Sequence, residues 1–124
     1  WLKQHLPEER VQVPETRNMK QAAALLGHCR AFLSIDSALM HLAAAMKVPH
    51  QFVIETATFN KTIEPYNRPY VLIPSPAVQG RNLDFYRYDG AGIRGTQSEL
   101  EALMRAVTPE AVFASMAPCL QRPA

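Results

Sequence analysis

From Asp36 to His41 the chain reads Asp-Ser-Ala-Leu-Met-His, and His41 is the only polar residue between Ala38 and Met46. A hydroxyl and an imidazole this close together, at the opening of a helix, suit the binding of an anion. The apolar run Ala31 to Ile35 precedes them and reads as a strand, and the Ala/Leu-rich stretch from Ser37 to Lys47 reads as a helix stopped at Val48-Pro49. His41 lies four positions after Ser37 and so shares its helix face. Helical side chains lean toward their own N-terminus, which would aim the imidazole at the amides of the first turn. Those amides and the helix dipole favour an anion, so a hydroxyl and an imidazole beside them make a diphosphate site. The plainer alternative is that Asp36 caps the helix and His41 hydrogen-bonds within the core. The helix is apolar on every side, which predicts packing on both faces.

These residues need a frame. Val11-Gln12-Val13 has strand chemistry, and Asn18 can cap a helix running from Met19 to Leu26 and ending at Gly27. Gln51 to Ile54 and Tyr70 to Ile73 supply two further strands, and Leu83 to Tyr88 alternates as an edge strand does. Glu55 to Pro69 has no clear period and reads as a long loop leaving the carboxyl end of a strand. Thr96-Gln97-Ser98-Glu99 is a capping box opening one helix, and Thr108-Pro109-Glu110 opens another. Trp1 to Pro7 looks like the last turns of a helix, with something preceding it in the native protein. Strands alternating with helices imply a parallel sheet with crossover connections, a Rossmann-like α/β fold with helices on both faces.

The bulk composition agrees with one domain spanning residues 1–124. A chain of 124 residues with 48% hydrophobic content can bury roughly two thirds of its unfolded surface around a single core. Thirteen Lys and Arg against eleven Asp and Glu give a net charge of +2, with the signs interspersed, so no basic stripe points to nucleic acid. Cys29 and Cys119 are expected as two reduced core thiols of a cytosolic protein, since neither a disulfide scaffold nor a paired zinc spacing is present. No run approaches the roughly 20 apolar residues of a membrane span. His28, Cys29 and His50 lack partners at metal-ligand spacing, and no cofactor or metal is expected. Gly90-Ala91-Gly92-Ile93-Arg94-Gly95 fits the dinucleotide fingerprint letter for letter, but the helix is capped only afterwards, at Thr96, and no strand follows, so it reads as a loop. Tyr66, Asn67 and Arg68 follow the long loop and could line a sugar or nucleotide pocket.

The stretch Ala22 to Ile54, above all Phe32-Leu33-Ser34-Ile35-Asp36-Ser37-Ala38-Leu39-Met40-His41-Leu42-Ala43, resembles the signature of family 9 glycosyltransferases. In that family, typified by ADP-heptose:lipopolysaccharide heptosyltransferases, an Asp-Ser/Thr-Gly-x-x-His-Leu motif opens a helix in the C-terminal domain of a GT-B fold. The resemblance implies that Asp36, Ser37, Ala38 and His41 bind the donor pyrophosphate and that Thr16 and Arg17 contact the nucleotide. It further implies heptose transfer from an ADP-linked donor to a lipopolysaccharide core or other glycan acceptor, by inversion and without a metal. The acceptor hydroxyl would be activated by a carboxylate in an N-terminal domain outside this chain. Such an enzyme is cytoplasmic, working at the inner face of the inner membrane. Two departures stand out: Ala38 replaces the family's glycine, whose extra room lets backbone approach phosphate closely, and Glu55-Thr56-Ala57-Thr58 stands where a Gly-Pro-Thr turn is common. A degenerate module that binds a nucleotide or another protein without catalysis is the alternative reading. A hydrolase is weaker, because nothing resembles an exposed nucleophile with its base.

Overall fold

The computed structural model describes residues 2–5, 7–57, 63–78 and 96–121. Helix α1 (Leu2–His5) leads through a single 3-10 turn (Glu8–Arg10) into an irregular stretch, and then come α2 (Met19–Leu26), β1 (Ala31–Ser34), α3 (Ala38–Ala45), β2 (His50–Ile54), β3 (Val71–Ile73), α4 (Gln97–Arg105) and α5 (Pro109–Leu120). The three strands form one parallel sheet in the order β1-β2-β3, with Leu33 opposite Phe52 and Phe52 opposite Val71. The fold is therefore α/β and Rossmann-like. The expected strand at Val11 to Val13 is not formed: this segment pairs with no strand among the described residues, and Val13 stands exposed. Val-Gln-Val has β-branched residues but too few of them to hold an extended shape without a ladder partner. Leu83–Tyr88 and Gly90–Gly95 lie outside the described residues.

Side-chain alternation sorts the sheet into two faces. Phe32, Ser34, Gln51, Val53 and Leu72 share one face by register. There Phe32 packs against a cluster of Leu26 from α2, Ala43 from α3 and Val48. Leu33, His50, Phe52, Ile54, Val71 and Ile73 share the other face, where α5 lies against β2 and β3. Helices thus cover both faces. The centre of the core is β2, where Gln51, Phe52 and Val53 are all buried. Leu33, on β1, stays 38% exposed.

Helix ends follow from local chemistry. Asn18 caps α2 by accepting from the Gln21 amide at 3.0 Å. Thr96 and Glu99 close a reciprocal capping box on α4, and Thr108 accepts from the Ala111 amide with Pro109 in the first turn of α5. At the end of α3, Lys47 adopts a left-handed φ of 58°, its amide returns to Ala44 and that of Val48 to Ala43. This pair of bonds is a Schellman stop, with the usual glycine replaced by lysine and with Val48 packed on Ala43. Gly27, expected to end α2, does so in ordinary right-handed geometry (φ −61°), so its freedom of φ is not used. A methyl there would meet the flexible Met46 Cε at 3.2 Å.

Beyond the sheet, α4 is tied to the ends of β2 and β3. The Ser75 amide donates to the Glu55 carboxylate at 2.8 Å, and the Ser75 hydroxyl donates to the Leu103 carbonyl at 3.3 Å. Val78 and Leu103 pack together beneath Ala57 and Leu100. Among the described residues no helix is long and apolar enough to cross a membrane.

Candidate functional site

Strand β1 ends at Ser34, and the backbone takes only three more residues before α3 begins at Ala38. The turn therefore sits at the carboxyl end of a parallel strand, the end at which open α/β sheets bind ligands. The N-cap position belongs to Ser37, extended at φ −161° and ψ 163°, and its side chain makes no capping hydrogen bond. The expectation that Asp36 caps α3 is thus corrected. The chain stays non-helical one residue longer than the Ala/Leu pattern indicates, which leaves the half-buried Asp36 just outside the cap. The Met40 amide turns back onto the Ser37 carbonyl at 3.1 Å, tightening the first turn. No acidic residue lies in that turn to compete with an incoming anion.

His41 is exposed, which overturns the reading of it as a core histidine. The expected burial of α3 on both faces is overturned with it. Met40, Ala43 and Ala44 are buried against the sheet and α2, while Leu39, His41, Ala45 and Met46 are exposed. Among the described residues α3 packs on β1, β2 and α2, which take the side of Met40, Ala43 and Ala44 and leave the other to solvent. The imidazole is accordingly free to reach a ligand in solvent. Ala38, the first helical residue, is likewise exposed, so its methyl stands at the surface that an anion would approach.

Thr16 and Arg17 belong to the exposed turn before α2, where the Arg17 amide donates to the Gln21 side chain at 2.7 Å. The C-terminal ends of α2 and α3 adjoin, since Gly27 faces Met46, and Leu26 packs on Ala43 and Val48. Arg17 and Lys20 lie exposed around the start of α2.

Other groups singled out by sequence fall elsewhere. Pro49, His50, Tyr70, Val71 and Cys119 line a hollow of about 180 Å³ at the amino ends of β2 and β3, opposite Asp36. Tyr66 to Arg68 run directly into this region, with Tyr66 exposed and Asn67 at a left-handed φ of 52°. The Tyr70 phenol there donates to Glu64 at 2.8 Å; partial burial, then the nearby carboxylate, pushes its pKa up to about 12. Cys29 and Cys119 are free thiols but only half-buried, not core residues. Cys29 lies at the edge of the α2/α3 cluster, and Cys119 sits at the end of α5, where Arg30 donates to its carbonyl at 2.9 Å. Among the described residues no group of three or more His, Cys, Asp or Glu could hold a metal ion.

Sequence reasoning missed Gln51. It lies 2% exposed in the central strand, and its Nε2 donates to the Met40 carbonyl of α3 at 2.9 Å. The available signal was a lone amide heading an otherwise apolar strand, Gln-Phe-Val-Ile.

A parallel sheet with helices against both faces, its β1 strand turning within three residues into α3, defines a Rossmann-like α/β domain. The chain belongs to glycosyltransferase family 9 (heptosyltransferase), whose family model matches residues 2–82. The matched span takes in α1 through β3, including the Asp36–His41 turn, and stops short of α4 and α5. Membership makes the protein a glycosyltransferase, with a nucleotide-sugar donor and a glycan acceptor. No curated protein and no solved structure matches the chain significantly.

Proposed function

We propose that residues 1–124 form a donor-binding domain for an ADP-linked heptose destined for a lipopolysaccharide core, in a GT-B arrangement whose acceptor domain lies outside this chain. The observation that carries the reading is the start of α3. Its cap residue Ser37 spends no side-chain hydrogen bond on the helix, while His41 stands exposed one turn on. A diphosphate at this point would meet the positive end of the helix dipole, the Ser37 hydroxyl and the His41 imidazole. Thr16 and Arg17, in the exposed turn before α2, would contact the nucleotide portion in this reading.

Transfer by displacement at the anomeric carbon leaves a nucleoside diphosphate carrying an extra negative charge. Donors aimed at that departing group lower the barrier because they strengthen as the charge develops. In this reading Ser37 and His41 supply that stabilisation, and the base that activates the acceptor hydroxyl comes from the other domain. Ala38 sets a limit, since its methyl keeps phosphate farther from the backbone than glycine would.

The test is a titration of ADP, UDP and GDP into isotopically labelled protein, following the backbone amides of Asp36 to His41. Selective shifts with ADP are expected. Equal response to all three nucleotides would remove the ADP assignment but keep the diphosphate site. Silence with all three would favour a degenerate module without donor binding.

A further inference from the structure

We infer that Gln51 is a positioning residue for the diphosphate-binding start of α3, an inference that rests on the donor-site reading above. Gln51 and Ser75 are the two polar residues buried as a whole among the described residues. Gln51 Nε2 is paired with the Met40 carbonyl, but its Oε1 is buried without a hydrogen-bond partner. An amide left half-satisfied in a core is costly, and a methionine or leucine of similar size would fill the same space without that penalty. Stability alone therefore does not account for a glutamine here.

What the amide supplies is direction. The surface of α3 turned toward the sheet is made of Met40, Ala43 and Ala44, and two of those three side chains are single methyl groups. So smooth an interface interlocks weakly and leaves the helix room to slide or rotate by small amounts, the shear motion usual for packed helices. The Gln51 bond fixes one point of the helix to the most buried strand. That point is one residue from His41, and the Met40 amide holds the carbonyl of the cap residue Ser37 at 3.1 Å. The order of the tie is thus β2, Gln51, Met40, Ser37. Backbone amides recognise an anion only when held within a few tenths of an ångström, so a rigid tie at this place sets donor affinity without touching the donor.

The test uses the 124-residue chain with Gln51→Met, which keeps length and loses the donor, and Gln51→Asn, which keeps the amide but falls short of Met40. Ser34→Ala serves as comparison: Ser34 lies on the same sheet face, and its buried hydroxyl has no hydrogen-bond partner. ADP affinity is read from the amides of Ala38 to His41, and hydrogen exchange is read along α3 and α5. Both Gln51 variants should weaken ADP by about tenfold, the effect of losing one well-placed interaction, and should speed exchange in α3 relative to α5, whereas Ser34→Ala should stay within about twofold of wild type on the same scale. Wild-type affinity in either folded Gln51 variant overturns the positioning role. If the parent protein ignores ADP, the donor reading fails by itself. Exchange then decides the tie separately, and unchanged α3 protection in both variants overturns it.

Discussion

The start of α3 and the start of α4 are built from similar residues and do opposite things. At α4, Thr96 accepts from the Glu99 amide while Glu99 accepts from the Thr96 amide at 2.7 Å, so the helix satisfies its own first turn. At α3, a hydroxyl residue again occupies the cap, yet Ser37 makes no such bond, and position N3 is Met40, which cannot reciprocate. A capped helix end is finished, whereas an uncapped one at the carboxyl end of a strand remains open to an anion. The contrast shows that a hydroxyl at the cap position does not by itself close a helix start.

The contrast is broken most directly at His41. His41→Ala should weaken ADP binding about 10- to 100-fold, as expected for a hydrogen bond to a charged group, and leave the melting temperature unchanged because the imidazole is exposed. Calorimetric titration beside a thermal melt checks both halves. Equal ADP affinity would take His41 out of the site.

A paired substitution sharpens it. Thr96→Ala should cost about 1 kcal/mol of stability through loss of the α4 cap and leave ADP binding alone. Ser37→Ala should do the reverse, weakening ADP while costing little stability, since no cap bond is lost. Denaturant melts and titrations of the two variants would collapse the contrast if both behaved alike. Ala38→Gly should strengthen ADP binding about threefold by admitting phosphate closer to the backbone; unchanged affinity would show that the methyl is not in the way.

The opposite end of α3 carries a smaller effect. Lys47 holds a left-handed conformation in the Schellman stop, so Lys47→Gly should stabilise the protein by about 0.5–1 kcal/mol, read as a shift in the urea midpoint. A loss of stability would mean that the lysine side chain contributes more than its backbone strain removes.

The smallest effect is one of pH. Hydrogen bonds from the Thr96 amide, then from its hydroxyl, hold the Glu99 carboxyl below its ordinary value. A depressed carboxylate contributes stability that is present above its unfolded pKa and lost as pH falls through the folded one. Wild type should therefore lose its advantage over Glu99→Gln on acidification, with melts of the two converging. Full exposure of Glu99 keeps the effect slight, and a gap that persists in acid would separate the capping box from the carboxylate's charge.

Much of this architecture was legible in the residues. The caps at Asn18, Thr96 and Thr108 appear where expected, because each depends on a side chain and an amide three residues away. The parallel order also followed, since alternating strands and helices admit few other arrangements. The strand expected at Val11 to Val13 failed because a strand exists only through a partner, which three residues cannot specify. Aspartate and serine are both good caps, so the pattern admits Asp36 as well as Ser37, and one position of backbone geometry decides for Ser37.

The sequence by itself determined the starts of α2, α4 and α5 and the parallel α/β plan, because these rest on propensity and on contacts within four residues. Only the tertiary structure decided which face of α3 is open, that His41 is exposed, and that Gln51, eleven residues from Met40, reaches the helix above it. Burial and long-range hydrogen bonds depend on which surfaces meet, and a chain's local pattern leaves that choice to packing.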